Sequence, residues 1–301
     1  TSPSPRKYMK VRATLLSDDS ESFATLDEIR VNFSDPVASS LQGQVVPNRV
    51  DSLGVERSFA LKVEIGSLQE GFDEVLVQPP PGMELNFDPT RESLFAGPAS
   101  AFEEEADVTT FELGNVRVVK AVPDSLHLAF DSVGSGVEVL QLNFRGTLLT
   151  AGGRLQVQMR NSEGDGFWQR VDEKVPRNSL QLVAEPKTKT LFSDLTIIPP
   201  VFTPNGDDVN DLVTMNFNVM MVGASTAVAV EIFDLNGRRV RRLEEQRSIS
   251  SGAYSITWNG RDEENALLPP GLYAVRLRLV SNTEDTGVAN REMLRTIALA
   301  Y

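Results

Sequence analysis

Residues 202–211 read Phe202-Thr203-Pro204-Asn205-Gly206-Asp207-Asp208-Val209-Asn210-Asp211, and the strand-like run 212–217 follows at once. This stretch gathers short, oxygen-bearing side chains around one glycine. Such a loop suits a network of Asx turns, in which the side chains cap backbone amides. It also suits a calcium site, because calcium takes several oxygen ligands from a flexible loop. Both interpretations are structural and neither involves catalysis, so the stretch indicates a module that holds shape.

The candidate calcium ligands are the side chains of Asn205, Asp207 and Asp211 and the backbone carbonyl of Val209. They fall at alternate positions, as ligands do in calcium-binding loops. No bidentate glutamate follows at the distance that an EF-hand requires, so the Asx-turn alternative stays open. A bound calcium ion would stiffen the entrance of the domain and take no part in chemistry.

Composition narrows the classes of function. The chain has 301 residues, so two or three domains are expected. A net charge of −13 argues against nucleic acid as a partner, because phosphate binding needs a basic surface. There is no cysteine and one histidine, His127, which excludes thiolate and multi-histidine metal sites. No stretch approaches the roughly 20 apolar residues that span a bilayer, and the N-terminus has no apolar signal core.

Alternating apolar and polar residues recur along the chain, and they predict half-buried strands. In Phe59–Ile65 every second residue is apolar, and His127 lies between Leu126 and Leu128 on the opposite, exposed face of its strand. Further strands are predicted at residues 72–77, 116–122, 126–130, 137–149, 155–159, 254–258, 272–279 and 295–301. Short strands separated by turns are typical of β-sandwiches. The predicted fold class is all-β, with tandem immunoglobulin-like β-sandwiches preceded by the closing strands of a jelly-roll-like sandwich.

Polar breaks in the sequence predict three parts. Residues 1–35 carry two strands, Lys7–Leu16 and Leu26–Phe33, which either dock on the following domain or complete a sandwich of another polypeptide. Residues 36–190 form an immunoglobulin-like sandwich. Residues 191–301 form a second, tighter one of immunoglobulin-like length.

The last ~110 residues resemble the immunoglobulin-like domain of the flagellar hook-capping protein, FlgD, and of gliding-motility-type C-terminal domains in large secreted bacterial proteins. Four landmarks carry the resemblance in order: residues 202–211, residues 230–240, Trp258-Asn259-Gly260-Arg261-Asp262 and Pro270-Gly271-Leu272-Tyr273. Asn236-Gly237 in the second landmark predicts a type I′ hairpin turn. Trp258 alternates in phase with Tyr254 and Ile256, which predicts that it fills the core. The resemblance implies a fold more strongly than a biochemical role.

Three other features are candidates for function. The cluster Arg238, Arg239, Arg241 and Arg242 is interpreted as a solvated hairpin edge that discourages edge-to-edge pairing, with a docking patch for an acidic partner as the alternative. The acidic run 103–107 is interpreted as a solvated loop rather than a catalytic pair. Trp168 is the one aromatic residue that is not clearly in phase with a core, and it is the candidate for sugar stacking.

The sequence therefore predicts a non-enzymatic structural or assembly module at the exterior of a bacterial cell. It is expected to be the C-terminal part of a larger surface or secreted protein, acting as stalk, subunit contact or anchor. Its expected partners are other protein subunits or the remainder of its own precursor. The alternatives are a carbohydrate-binding module of a secreted hydrolase and a C-terminal secretion-sorting domain.

Overall fold

A computed structural model describes residues 10–16, 25–30, 35–68, 71–102, 112–122, 124–164, 167–174, 178–186, 190–193, 195–223, 225–280 and 292–301. These residues form strands, turns and one 3₁₀ turn, Ala99–Phe102. None of the described segments forms a helix that is long and apolar enough to cross a membrane. The chain is all-β and builds several sheets around two separate hydrophobic cores, as the alternation predicts.

The first sandwich takes its core from residues 37–184. Its strands are β1 (Leu41–Val46), β2 (Arg49–Val50), β3 (Glu56–Ile65), β4 (Phe72–Gln78), β5 (Met83–Asn86), β6 (Leu94–Gly97), β7 (Arg117–Val122), β8 (Ser125–Val133), β9 (Val139–Leu148), β10 (Gly152–Arg154), β11 (Gln156–Arg160), β12 (Gln169–Arg170), β13 (Asp172–Glu173) and β14 (Gln181–Ala184). One sheet has the order β13-β1-β3-β9-β5 with β6 also paired to β9, and the facing sheet has the order β12-β11-β4-β8-β7. A small sheet, β10-β14-β2, closes one end.

The alternation of apolar and polar residues along each strand explains how these strands pack. In β3, Phe59, Leu61 and Val63 are at most 2% exposed, and the residues between them point outward. Phe59 lies opposite Phe144 of β9, and their rings stack with centroids 5.5 Å apart. A buried face on each sheet fixes the register, because a one-residue slip would turn the apolar side chains to water.

The second sandwich takes its core from residues 191–299. Its strands are β15 (Thr196–Ile198), β16 (Val201–Phe202), β17 (Val213–Val219), β18 (Ala227–Phe233), β19 (Arg239–Glu245), β20 (Gly252–Trp258), β21 (Gly271–Val280) and β22 (Glu292–Leu299). The sheet β15-β17-β20 faces the sheet β16-β22-β21-β18-β19. Trp258, 2% exposed, packs between Phe202 and Tyr273 in the centre, which confirms its predicted place in the core.

The hairpin between β18 and β19 differs from the predicted type I′ turn. Gly237 has a φ of 82°, but Asn236 is not among the residues with positive φ. Gly237 donates its amide to the carbonyl of Asp234, and the Asp234 carboxylate accepts the amides of Asn236 and Arg238. The aspartate holds a tight turn that ends in a left-handed glycine, which is the three-residue hairpin pattern. The type I′ prediction is wrong because this side chain selects a different turn.

Two features of the sequence lie partly or wholly outside the described residues. Residues 103–107, the acidic run, are outside them. The described parts of the two predicted N-terminal strands, residues 10–16 and 25–30, are exposed and are not assigned to any strand. Their docking on the following domain is therefore not seen within those 13 residues.

Candidate functional site

The loop that follows β16 is an Asx network. Asp211 accepts the amides of Gly206 at 2.8 Å and Asp208 at 2.7 Å, one on each carboxylate oxygen. Asp207 accepts the amide of Val209 at 2.8 Å, and Asn205 accepts the amide of Asp207 at 3.0 Å. Asp208 and Asn210 have φ values of 65° and 56°, which Asp and Asn tolerate better than most residues. The side chains thus cap backbone amides, as the Asx-turn interpretation of this loop expects.

The same loop brings the candidate calcium ligands together in part. Asn205 donates to Asp207 Oδ2 at 3.1 Å, so these two side chains touch, and Asp211 closes the loop from its far end. The Val209 carbonyl is used by the Thr203 hydroxyl, which lies 3.3 Å away. Among the described residues, no group of three or more histidine, cysteine, aspartate or glutamate side chains is arranged to hold a metal ion. A calcium ion here would depend on amide and carbonyl oxygens beside two carboxylates, and calcium binding stays a prediction.

The four arginines of the hairpin cluster each meet an acidic or carbonyl oxygen of this chain. Arg238 reaches Asp234, Arg242 reaches Glu244 at 2.6 Å, and Arg241 donates to the carbonyl of Asp262 at 2.7 Å. The amide of Arg242 is also capped by Glu263, which lies along the free side of β19. Arg239 and Arg242 lie on the outer face of the sheet, where Arg239 reaches Glu231. The structure therefore does not bring the four predicted side chains together as one patch.

Sequence reasoning missed the site around Glu231. This residue lies between Val230 and Ile232 in β18, both of which point into the core, so Glu231 points to the outer face of its sheet. Nevertheless only 1% of Glu231 is exposed. Three arginines from both neighbouring strands cover it: Arg239 of β19, and Arg276 and Arg278 of β21.

Five hydrogen bonds converge on this carboxylate. Arg276 donates twice to Oε2, at 2.7 and 3.1 Å, and Arg278 donates once to each oxygen, at 3.0 and 3.2 Å. Arg239 adds a longer bond of 3.3 Å to Oε1. Burial raises the pKa of Glu231, but the hydrogen bonds and charges of Arg278 and Arg276 outweigh it and lower the pKa to about 2. The signal for this site was the pair Arg276 and Arg278, two residues apart on the outward side of a strand.

A second charged cluster lies on the outer face of the first sandwich. Glu74 of β4 accepts from Arg160 Nε at 2.6 Å and lies 2.8 Å from His127 Nε2, through the same carboxylate oxygen. Burial raises the pKa of Glu74, and the hydrogen bonds from Arg160 and His127 more than reverse this, so its pKa is lowered. The Trp168 ring covers the cluster, with the Arg160 guanidinium 4.6 Å from its centroid.

The surroundings of His127 and Trp168 in this cluster differ from those that the sequence predicts. His127 does point away from the core, but its side chain is only 17% exposed, so the predicted exposed histidine is wrong. It is covered because the Trp168 ring packs edge-on against it, with centroids 5.3 Å apart. Trp168 uses one face of its indole for Arg160 rather than presenting that face to a ligand. The neighbouring Phe167 is 56% exposed.

The two sandwiches meet at a junction formed by Gly54, Glu84 and Leu149 of the first and Met220, Met221 and Ala253 of the second. Leu149 and Met220 are 0% and 3% exposed, yet neither is part of a main core. Met221 donates its amide to the Leu149 carbonyl at 2.7 Å, and Ala253 donates its amide to Glu84 at 3.0 Å. The Met220 sulfur lies 2.9 Å from where a Cβ on Gly54 would stand.

Comparison with solved structures finds chains of low identity. The dimeric latent PorU of Porphyromonas gingivalis matches with 12% identity and a TM-score of 0.30, over 86% of this chain and 34% of that one. The T6 backbone pilin of serotype M6 Streptococcus pyogenes matches with 12% identity and a TM-score of 0.28, over 86% of this chain and 51% of that one. The purple acid phosphatase PPD1 of yellow lupin, Lupinus luteus, matches with 11% identity and a TM-score of 0.33, over 86% and 41%. The chain thus spans a third to a half of these proteins.

Comparison with curated protein sequences gives no match. A family model does match, over residues 206–283, which run from the Asx loop through β17, β18, β19, β20 and β21. This segment contains the hairpin, the Trp258 landmark and the Pro270-Gly271 turn on which the resemblance rests. Residues 206–283 therefore match the FlgD Ig-like domain, and the resemblance predicted for the C-terminal part of the chain is confirmed.

Proposed function

We propose that this chain is a non-enzymatic structural module of the bacterial cell exterior, which acts as a stalk, subunit contact or anchor. Its partners would be other protein subunits or the remainder of its own precursor. The observation that carries the proposal is the junction between the sandwiches. It joins them by buried side chains and by two direct hydrogen bonds, rather than by a linker alone.

A stalk or subunit contact needs domains that are joined by direct contacts as well as by the chain. Domains in one chain move relative to one another by default unless the interface between them is substantial. Here a backbone amide–carbonyl bond ties the loop that follows β17 to the loop that follows β9, and the buried Met220 lies against Gly54, between β2 and β3. Bonds of this kind hold a fixed distance and orientation between the outer surfaces of the two sandwiches. A subunit contact that spans both sandwiches requires a fixed geometry between them. Catalysis within one sandwich would not require it.

The proposal is tested by measuring the distance distribution across the junction. The chain has no cysteine, so spin labels attach only where cysteine is introduced. Gln156→Cys in the first sandwich and Thr257→Cys in the second place labels at exposed strand positions. Pulsed electron resonance is expected to give one narrow distribution. A broad distribution in the otherwise unchanged protein would overturn the rigid stalk.

The location is tested separately, on intact bacterial cells that express the native gene. Added protease or an antibody against the second sandwich is expected to reach the protein without permeabilising the cells. Reaction only after permeabilisation would contradict an exterior location.

A further inference from the structure

The outer face of the sheet β16-β22-β21-β18-β19 can be laid out as rows from the strand registers. One row contains Val201, Ala298 and Leu272, and the next contains Thr296, Ala274, Phe233 and Arg239. The third row contains Leu294, Arg276, Glu231 and Arg242, and the fourth contains Glu292, Arg278, Ala229 and Glu244. We call this surface the arginine face. Its apolar side is formed by Val201, Ala298, Leu272 and Leu294, and its charged side by the arginine and glutamate side chains of β21, β18 and β19, with Glu292 of β22 beside Arg278.

The charged side carries surplus positive charge. Arg239, Arg276 and Arg278 share the one carboxylate of Glu231, so these four groups have a net charge of +2. Arg242 pairs with Glu244, and Glu292 beside Arg278 brings the sum for the whole face to +1. The three arginine side chains remain 46%, 36% and 30% exposed, although Glu231 beneath them is only 2% exposed. Each guanidinium has five donors, and Glu231 uses one or two of them.

Glu231 also fixes the arginines in place. A free arginine side chain loses considerable rotamer entropy when it binds, and this loss weakens the contact. Here the loss has occurred on folding, because Arg276 and Arg278 are each held by two hydrogen bonds. Arg276 is held further by the ring of Phe233, whose centroid lies 4.8 Å away. The guanidinium edges that face solvent are therefore pre-organised.

The apolar side is open to solvent. Val201, Leu272 and Leu294 are 51%, 52% and 61% exposed. Val201 and Leu272 lie on either side of the small residue Ala298, and Leu294 lies farther along β22, beside Arg276. Protein–protein interfaces have an apolar core and are enriched in arginine, so an aliphatic patch beside ordered arginines fits such an interface. A sugar would be expected to stack on an aromatic ring instead, and the Phe233 ring is already covered by Arg276.

We propose that the arginine face docks an acidic protein surface, one that presents carboxylates beside an aliphatic patch. The carboxylates would bind the free edges of Arg239, Arg276 and Arg278, and the aliphatic patch would cover Leu272, Leu294 and Val201. This inference deepens the proposed function, because it assigns the subunit contact to one face of the second sandwich. Of the hairpin cluster, Arg239 and Arg242 lie on this face, and only Arg239 is proposed to bind the partner.

The test uses the full chain and soluble polymers as probes. A random copolymer of glutamate and leucine presents both chemistries, poly-L-glutamate presents carboxylates alone, and polygalacturonate presents carboxylates on a sugar backbone. Calorimetry at low salt is expected to show binding of the copolymer, weaker binding of poly-L-glutamate and still weaker binding of polygalacturonate. Equal or tighter binding of polygalacturonate would overturn the assignment to a protein partner.

Variants locate the contact on the surface. Arg276→Gln, Arg278→Gln and Arg239→Gln are each expected to weaken copolymer binding about fivefold, the change for one partly exposed charge-assisted contact. Leu272→Ser is expected to remove the advantage of the copolymer over poly-L-glutamate. The matched control is Arg238→Gln, which removes the same charge from a 75% exposed side chain in the hairpin turn. It is expected to bind as the unchanged protein does.

Folding of each variant is checked by its melting temperature. Arg239→Gln disturbs the fold least, because its bond to Glu231 is the longest of the five, so it decides the outcome if the other two variants unfold. If Arg239→Gln binds as tightly as Arg238→Gln, the arginine face is not the docking surface. The rigid junction between the sandwiches would be unaffected by that result.

Discussion

Met221 donates its amide to the carbonyl of Leu149 at 2.7 Å, and this bond crosses from the second sandwich to the first. Met221 holds it with a φ of 63°, a conformation that a long side chain rarely adopts. Its neighbour Met220 is buried at the same place. An unfavourable backbone conformation persists only where surrounding contacts hold it in place. The contacts of the junction therefore offset the energetic cost of the positive φ at Met221.

Gly54→Ala is expected to loosen the junction. An added Cβ would stand 2.9 Å from the Met220 sulfur, and the φ of 69° at Gly54 also disfavours alanine. The free energy of unfolding in denaturant is expected to fall by about 1–3 kcal/mol. Gly136→Ala is the control, because its φ is 94° and nothing lies within 4 Å of its added Cβ. An equal loss in both variants would show that Met220 does not press on Gly54.

Glu231→Gln is expected to remove a pH dependence of stability. The folded pKa of Glu231 is about 2, below its ordinary value of 4.5. A lowered carboxyl pKa gives stability that is present above the ordinary value and is lost as pH falls toward 2. The difference corresponds to about 3 kcal/mol at neutral pH. Denaturation at pH 7 and pH 3 is expected to register about 2 kcal/mol of this difference, because Glu231 is still ionised in the folded protein at pH 3. An unchanged pH profile in the variant would contradict the prediction.

Glu74→Gln is expected to destabilise the first sandwich by about 1–3 kcal/mol, because Arg160 and His127 would lose the carboxylate that they share in a largely buried place. Trp168 emission is expected to change as well, since Arg160 would no longer be held over its ring. Asp73→Asn is the control, as its carboxylate binds only the exposed Ser162 among the contacts described for it. Equal effects of both substitutions would count against a special role for Glu74.

The calcium prediction is tested by melting the protein with and without a chelator. If calcium binds the Asx loop, chelation is expected to lower the melting temperature, since an ion that binds only the folded state stabilises it. Asp207→Asn keeps the acceptor for the Val209 amide but removes a charge, so chelation is expected to change its melting temperature less. An unchanged midpoint in the calcium-loaded protein would leave the Asx network as the whole explanation of the loop.

Much of the fold follows from the sequence because alternation and burial are local signals. The strands around Phe59, Tyr254 and Tyr273 are where the alternation predicts them, and the ring of Trp258 is in the core. The hairpin turn was harder to predict, because the choice of turn depends on the hydrogen bonds of Asp234 rather than on Asn236-Gly237 alone.

The charged sites could not be predicted in the same way. Glu231 is 45 residues from Arg276, and His127 is 53 residues from Glu74, so each cluster depends on which strands become neighbours. Arg238, Arg239, Arg241 and Arg242 are close together in sequence, but their side chains reach different partners in the fold. The junction could not be predicted from the sequence either, because no sequence pattern links Met220 to Gly54.

The arginine layer over Glu231 has a consequence for the conditions in which this surface works. Guanidinium groups do not lose their proton in ordinary water, and Glu231 takes one up only near pH 2. The charge of the cluster is therefore constant from mildly acidic to strongly alkaline surroundings. Dissolved salt weakens the attraction of this cluster for a partner, whereas acidity would weaken it only by protonating the partner's carboxylates. A contact on this face would therefore be sensitive to salinity, and any response to pH would come from the partner's side.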